Sequence, residues 1–110
     1  MFVVKSNPTF THTVKVKVPV DGGFSEQSFR ATFNVVPVEE AAKFDLSDGA
    51  ESKAFLVRAI ASMDDLVGPD GKTKVEYSDA LRDELLAWNY VRKALATAYF
   101  DAISGARAGN

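Results

Sequence analysis

One set of oxygen donors that could do chemistry is Asp64, Asp65 and Asp70, with Gly71 following directly. Three carboxylates beside a glycine-containing loop are the raw material of a calcium site. Such a loop needs oxygen ligands at alternate positions and a later glutamate. Leu66, Val67, Gly68 and Pro69 supply no such side chains, so the stretch reads as a solvated helix end and a turn. Glu39 and Glu40 are adjacent, and on a helix neighbours point about 100° apart. A catalytic carboxylate pair has to flank a bond across a cleft, so these two read as charge at a helix N-terminus. His12 is the only histidine and shares strand parity with Val14. Without a thiolate or a nearby carboxylate it makes no usual metal site, and no G-x-S-x-G elbow offers it a nucleophile. Gly22 and Gly23 do not lead from a strand into a helix, which makes them turn residues rather than a phosphate cradle. No cysteine is present, which excludes disulfides, thiolate nucleophiles and thiolate metal sites. The inventory therefore names no catalytic residue, no metal ligand set and no cofactor.

Charge and composition narrow the classes further. The 110 residues suit one domain. Hydrophobic residues make up 46% and charged residues 25%, and eight Phe, three Tyr and one Trp are too much apolar surface for a disordered chain. Thirteen Lys and Arg are diluted by fifteen Asp and Glu. The nearest thing to a basic cluster is Lys15 with Lys17, which is too little for a nucleic-acid surface. Residues 1–4 are too short an apolar run for a signal peptide. No stretch approaches the roughly 18 apolar residues of a membrane span. A cytoplasmic protein that touches neither nucleic acid nor membrane is expected.

The elements that would position any functional residue follow from periodicity. Residues 1–9, punctuated by Asn7 and Pro8, form a leading arm with a short strand at residues 2–4. An apolar arm of this kind packs on a neighbouring subunit or covers its own sheet, and the second is favoured. Residues 10–36 form a β-hairpin. Val14, Val16, Val18 and Val20 alternate with Lys15, Lys17 and Pro19, then Phe29, Ala31, Phe33 and Val35 alternate with Ser28, Arg30, Thr32 and Asn34. Asp21, Gly22 and Gly23 are the turn signal, in a connection of several residues that leaves the register open. Pro19 lacks an N–H, so the end of the first strand belongs at a sheet edge or a bulge. A lone hairpin is marginal in water, and the helices that follow are its cover.

Residues 37–105 are expected to be helical. Pro37 suits a first helical turn and opens a short helix over 38–44. Leu56, Ala59, Ile60 and Met63 form the stripe of a core helix over 50–66, flanked by Phe55 and Val67. Residues 68–71 end it, and 74–77 are extended. Ser78 caps a short helix over 79–87, with Leu81, Leu85, Leu86 and Trp88 on its apolar side. Asn89 caps the closing helix over 90–105, and Gly105 ends it. Val91, Ala94, Leu95, Ala98, Tyr99, Ala102 and Ile103 are its apolar stripe, kept thin by the alanines. Residues 106–110 are a tail. The fold class is α+β: an N-terminal antiparallel β-hairpin or small sheet packed against about four C-terminal helices.

Partner contacts are expected on the flank of the closing helix, at Tyr90, Arg92 and Phe100, and on the arm, at Phe2 and Val4. The same two features predict self-association into a homo-oligomer. Lys15, Lys17 and Arg30 point away from the core, where charge means a solvated face or a guard on an edge strand. An open sheet edge would accept a partner strand.

The order of features resembles the small tail assembly chaperones of long-tailed bacteriophages and prophages. The matching stretches are Pro19, Val20, Asp21 and Gly22; the alternating Phe29, Ala31 and Phe33; Asp70 with Gly71; Tyr77 with Ser78; and residues 96–110. Together they run over nearly the whole chain. The chain departs from the pattern at Met63, where the family carries Trp, and at Gly109, where it carries Lys. The resemblance implies a protein that is not an enzyme. It implies binding to the tape measure protein, recruitment of tail tube protein subunits, residence in the bacterial host cytoplasm and absence from the mature virion. It also implies that this chain is the shorter of two products of a programmed frameshift. The alternative is a structural minor tail or head–tail component that stays in the particle.

Overall fold

The computed structural model describes residues 1–105; the expected tail at 106–110 lies outside them. Two long strands, β1 (Thr9–Val20) and β2 (Gly23–Asn34), pair antiparallel along their full length, and a third, β3 (Ile60–Asp64), adds to the other side of β2. Four helices complete the α+β fold: α1 (Val38–Ala41), α2 (Gly49–Ala59), α3 (Asp79–Leu86) and α4 (Asn89–Ile103).

The hairpin follows its alternation. Val14 and Val16 of β1 and Phe29, Ala31 and Phe33 of β2 are buried, while Lys15, Lys17, Ser28 and Arg30 face solvent. The connection is tighter than expected. Val20 pairs with Gly23, so only Asp21 and Gly22 make the turn, and Gly22 takes φ 77°, a left-handed value that costs glycine nothing. Pro19 lies on β1, an edge strand of the sheet, as its missing N–H requires.

The main correction concerns residues 60–64, which are a strand and not the second half of a core helix. The helix α2 stops at Ala59. The register then pairs Ile60 with Phe33, Ser62 with Thr32 and Met63 with Ala31, with a shift between Thr32 and Phe33. Ala61 is the extra residue of that bulge. In a regular strand Ile60 and Met63 would lie on opposite faces, but one inserted residue returns them to the same face. Both are buried, and their spacing of three imitates a helix.

Other boundaries move for local reasons. Pro37 stands at the N-cap of α1 rather than inside it, and the Pro37 carbonyl accepts from Ala41 N–H at 2.9 Å. Asp48 caps α2, accepting from Glu51 N–H at 3.0 Å, while Glu51 Oε1 accepts from Asp45 N–H at 2.9 Å. Residues 74–77 form no named strand; Lys74 makes a single bridge to Val67. Ser78 caps α3 as expected, accepting from Leu81 N–H at 3.1 Å. Asn89 does not cap α4: Trp88 holds that position without a side-chain bond, and the Asn89 side chain accepts instead from Arg92. Gly105, at φ 82°, ends the helix with its N–H donated to the Ala102 carbonyl.

The helices cover one face of the sheet. Val91, Leu95, Ala98 and Tyr99 of α4 are buried, Ala94 and Ala102 half-buried, and Ile103 at the helix end exposed. Small residues at 94 and 98 let α4 come close to β1. Tyr99 is the hub of an aromatic cluster, with Phe10, Phe33, Phe55 and Phe100 at ring-centre distances of 5.0 to 5.7 Å. Its hydroxyl accepts from Val36 N–H at 3.0 Å, which ties the closing helix to the chain leaving β2. The arm does not cover the sheet and holds no strand at residues 2–4. Phe2 and Val4 are each 86% exposed.

Candidate functional site

Several of the groups that could do chemistry are engaged in local structure. Asp70 closes its own turn: one carboxylate oxygen accepts from Lys72 and Thr73 N–H, both at 2.9 Å, and the other from the Thr73 hydroxyl. The Thr73 hydroxyl and amide hold the Asp70 carboxyl down to about 2. The Asp45 carboxylate is likewise held low by the Ser47 hydroxyl and amide. Glu40 pairs with Arg58 of α2, while Glu39 faces solvent. His12 stands half-buried opposite Ala31. Among the described residues no cluster of three or more His, Asp or Glu could hold a metal ion. None of their helices is long and apolar enough to cross a membrane.

The residues expected to meet a partner occupy different places. Arg92 is half-buried and donates to the Leu86 carbonyl at 2.7 Å, so its guanidinium satisfies the end of α3. Phe100 stacks on Phe55 with ring centres 5.6 Å apart and meets Tyr99 edge-on at 5.0 Å, which places it at the core margin. Tyr90 is half-buried between two grooves. Phe2 and Val4 stand free on the arm, away from Tyr90. Their root is fixed by the Pro8 carbonyl, which accepts from Val35 N–H at 3.0 Å, at the far end of β1 from the grooves.

The first groove, about 320 Å³, runs between β1 and α4 and is lined by Lys15, Lys17 and Lys93 with Tyr90, Ala94 and Thr97. Its basic lining makes it a place for acidic side chains. Lys17 also sits 5.2 Å over the Phe24 ring. The second, about 260 Å³, opens under the distal half of the hairpin. Its lining includes Val16, Val18, Leu66, Val67, Leu85 and Tyr90, with Gln27 and Ser28 of β2 on one side and Asp65 on its rim.

This second groove went unrecognised in the sequence because it depends on where β3 ends. Pairing between β2 and β3 starts at Arg30 opposite Asp64, so residues 23–29 of β2 have a strand partner on one side only among the described residues. Asp65 takes φ 63°, a left-handed value that Asp tolerates better than most residues. It turns the chain off the sheet. The available signal was the apolar pair Leu66 and Val67 behind two aspartates. Trp88, expected on the apolar side of α3, is 55% exposed.

Comparison of the chain with protein-family models, with curated proteins and with solved structures finds no match.

Proposed function

We propose that this chain works by binding rather than by catalysis, as an assembly chaperone of bacteriophage tails that holds the tape measure protein and helps recruit tail tube subunits. The observation that carries the binding reading is apolar surface left in solvent beside a filled core. Phe2, Val4, Phe24, Val67 and Trp88 are all exposed, whereas sixteen hydrophobic residues from Val14 to Tyr99 are closely buried. Val67 lines the second groove, and apolar surface exposed at a groove supports a protein partner. A long helical client with apolar and acidic positions would meet both grooves, one with Val16, Val18 and Leu66 in its lining and one with three lysines. The identity of the client rests on the resemblance carried by residues 19–22, 29–33 and 96–110.

Affinity capture with the tape measure protein of the same phage tests the reading: the two are expected to co-purify and the client to stay soluble. Failure to retain either the tape measure protein or the tube protein overturns it. Mass spectrometry of purified particles should lack this chain; finding it there in stoichiometric amount replaces the chaperone with a structural tail component.

A further inference from the structure

On the outer edge of β1, main-chain groups and charge of one sign coincide. The sheet order leaves β1 with a strand partner on one side only among the described residues. Which of its residues face the other side follows from the alternation of an antiparallel ladder. Pro19 has no N–H to give to Phe24 opposite, so theirs is a non-hydrogen-bonded pair. Counting back by twos, Lys17, Lys15, Thr13 and Thr11 fall in the same class and turn their N–H and C=O outward. Two bonds agree. The Thr11 and Thr32 hydroxyls meet at 2.8 Å, as side chains can in such closely spaced pairs. The Pro8 carbonyl accepts from Val35 N–H at 3.0 Å, which puts the even-numbered residues in the bonded class.

The flanks of this edge are basic. Lys15 and Lys17 of β1 and Lys93 of α4 line one groove with Tyr90, Ala94 and Thr97, and that lining holds no acidic residue. All three lysines are exposed. Glu26 stands opposite Lys17 and Ser28 opposite Lys15. Yet among the described residues the acids in ion pairs are Glu40, Glu76, Asp79 and Asp83, none of them with these lysines.

Charge and backbone together select the occupant. A helical client would meet these lysines by charge alone, since a helix bonds its own backbone. An extended segment can also use the outward N–H and C=O groups. Two β1 edges set against each other would bring lysine against lysine, which is unfavourable. A segment with acids at alternate positions meets no such barrier. Its acidic side neighbours Lys15 and Lys17. Its other side turns to α4, where Tyr90 and Ala94 offer apolar contact and Lys93 a further cation.

We propose that the outer edge of β1, from Thr11 to Lys17, takes an extended acidic segment of a partner protein by strand addition, with Lys15, Lys17 and Lys93 as its counter-charges. Main-chain pairing stops at Pro19, which has no N–H to offer. The pairing does not depend on the identity of the client, so it and capture of the tape measure protein can fail separately. The probe is a short synthetic peptide in which Glu alternates with Val and Thr, added to the full chain. Before addition, hydrogen exchange should be slow at the Val14 and Val16 amides and fast at the Lys15 and Lys17 amides interleaved with them. The peptide should slow the Lys15 and Lys17 amides and shift the resonances of Lys93 and Thr97. Lys15→Glu with Lys93→Glu should weaken binding by about tenfold or more without moving the melt, and it leaves Lys17 over the Phe24 ring. Lys43→Glu, outside the groove lining, should leave binding unchanged. The same peptide N-methylated at alternate residues keeps its charge, loses half its donors and should bind about tenfold more weakly. Four results overturn the inference. The first is Lys15 and Lys17 amides as slow as those of Val14 and Val16 before addition, which would mean that the edge is already covered. The second is an N-methylated peptide that binds as tightly as its parent, and the third is charge reversal without effect. The fourth is a short oligonucleotide that binds these lysines more tightly than the peptide, which would assign them to phosphate.

Discussion

Replacing Tyr99 with Phe removes one oxygen atom from the centre of the fold and leaves every ring contact in place. Tyr99 is 1% exposed, and its hydroxyl is the acceptor for Val36 N–H at 3.0 Å. Val36 is itself buried at the point where the chain leaves β2. In Tyr99→Phe that buried N–H loses its partner, and an unsatisfied buried donor costs about 1–3 kcal/mol. Each kcal/mol moves the melting temperature by roughly 4–8 °C in a domain slightly smaller than this one. The variant should therefore melt roughly 5–15 °C below the parent. Circular dichroism reads the melt, and hydrogen exchange at the Val36 amide reads the cause. That amide should be among the slow ones in the parent and exchange much faster in the variant, while the amides of β1 change only as global stability changes. A melt within about one degree of the parent, with Val36 exchange unaltered, would refute the assignment of this bond as the tie between α4 and the sheet.

Three further outcomes follow from particular contacts. Ser78→Ala removes the acceptor for Leu81 N–H and should cost about 1 kcal/mol, read as a lower urea midpoint with unchanged slope. Ala98→Leu adds three carbons where α4 lies close to β1 and should destabilise by about 1–3 kcal/mol, whereas the same change at exposed Ala87 should be nearly silent. The Asp70 carboxyl should titrate near 2 rather than at its ordinary 3.8, measured by its carbonyl resonance in NMR. Because the folded value is depressed, its contribution to the 70–73 turn is full above the ordinary value and is lost as pH falls through the folded one. Thr73→Val should bring the midpoint back up.

Much of this architecture was legible because burial writes itself as period. The valines of β1 and the Phe and Ala residues of β2 declared a two-sided hairpin, and Val91, Leu95, Ala98 and Tyr99 declared the face of α4. Ser78 declared its helix through the chemistry of a cap. The same reasoning went wrong where tertiary structure altered the period. The bulge at Ala61 gave a strand the spacing of a helix, and nothing local distinguishes Leu56, Ala59, Ile60 and Met63 from a helical stripe. A better reading was available at Asp48, since Asp followed three residues later by Glu51 is a capping pattern. Asn89 shows the opposite failure. A good capping residue stood one position too late, and its side chain bonded Arg92 instead. Of the residues expected to meet a partner, Phe2 and Val4 were legible as an apolar arm but not as an exposed one. The groove was not legible at all, because its walls come from β1, β2, the 65–67 segment, α3 and α4.

The shape of the sheet edge bears on why the fold tolerates such a surface. Leu66 and Val67 are apolar and follow β3 after a single residue, so a continued strand would have covered more of β2 and buried one of the two. Instead Asp65 adopts a left-handed backbone and the chain leaves the sheet. An uncovered strand edge invites indiscriminate pairing. Here the exposed stretch of β2 carries Ser25, Glu26, Gln27 and Ser28, and an acid at its centre opposes the approach of another acidic or purely apolar strand. The barrier is lower for a segment that brings its own cation and places apolar residues on one side only. The turn at Asp65 and the polar run at residues 25–28 thus leave an edge open to main-chain pairing yet unfavourable to most strands.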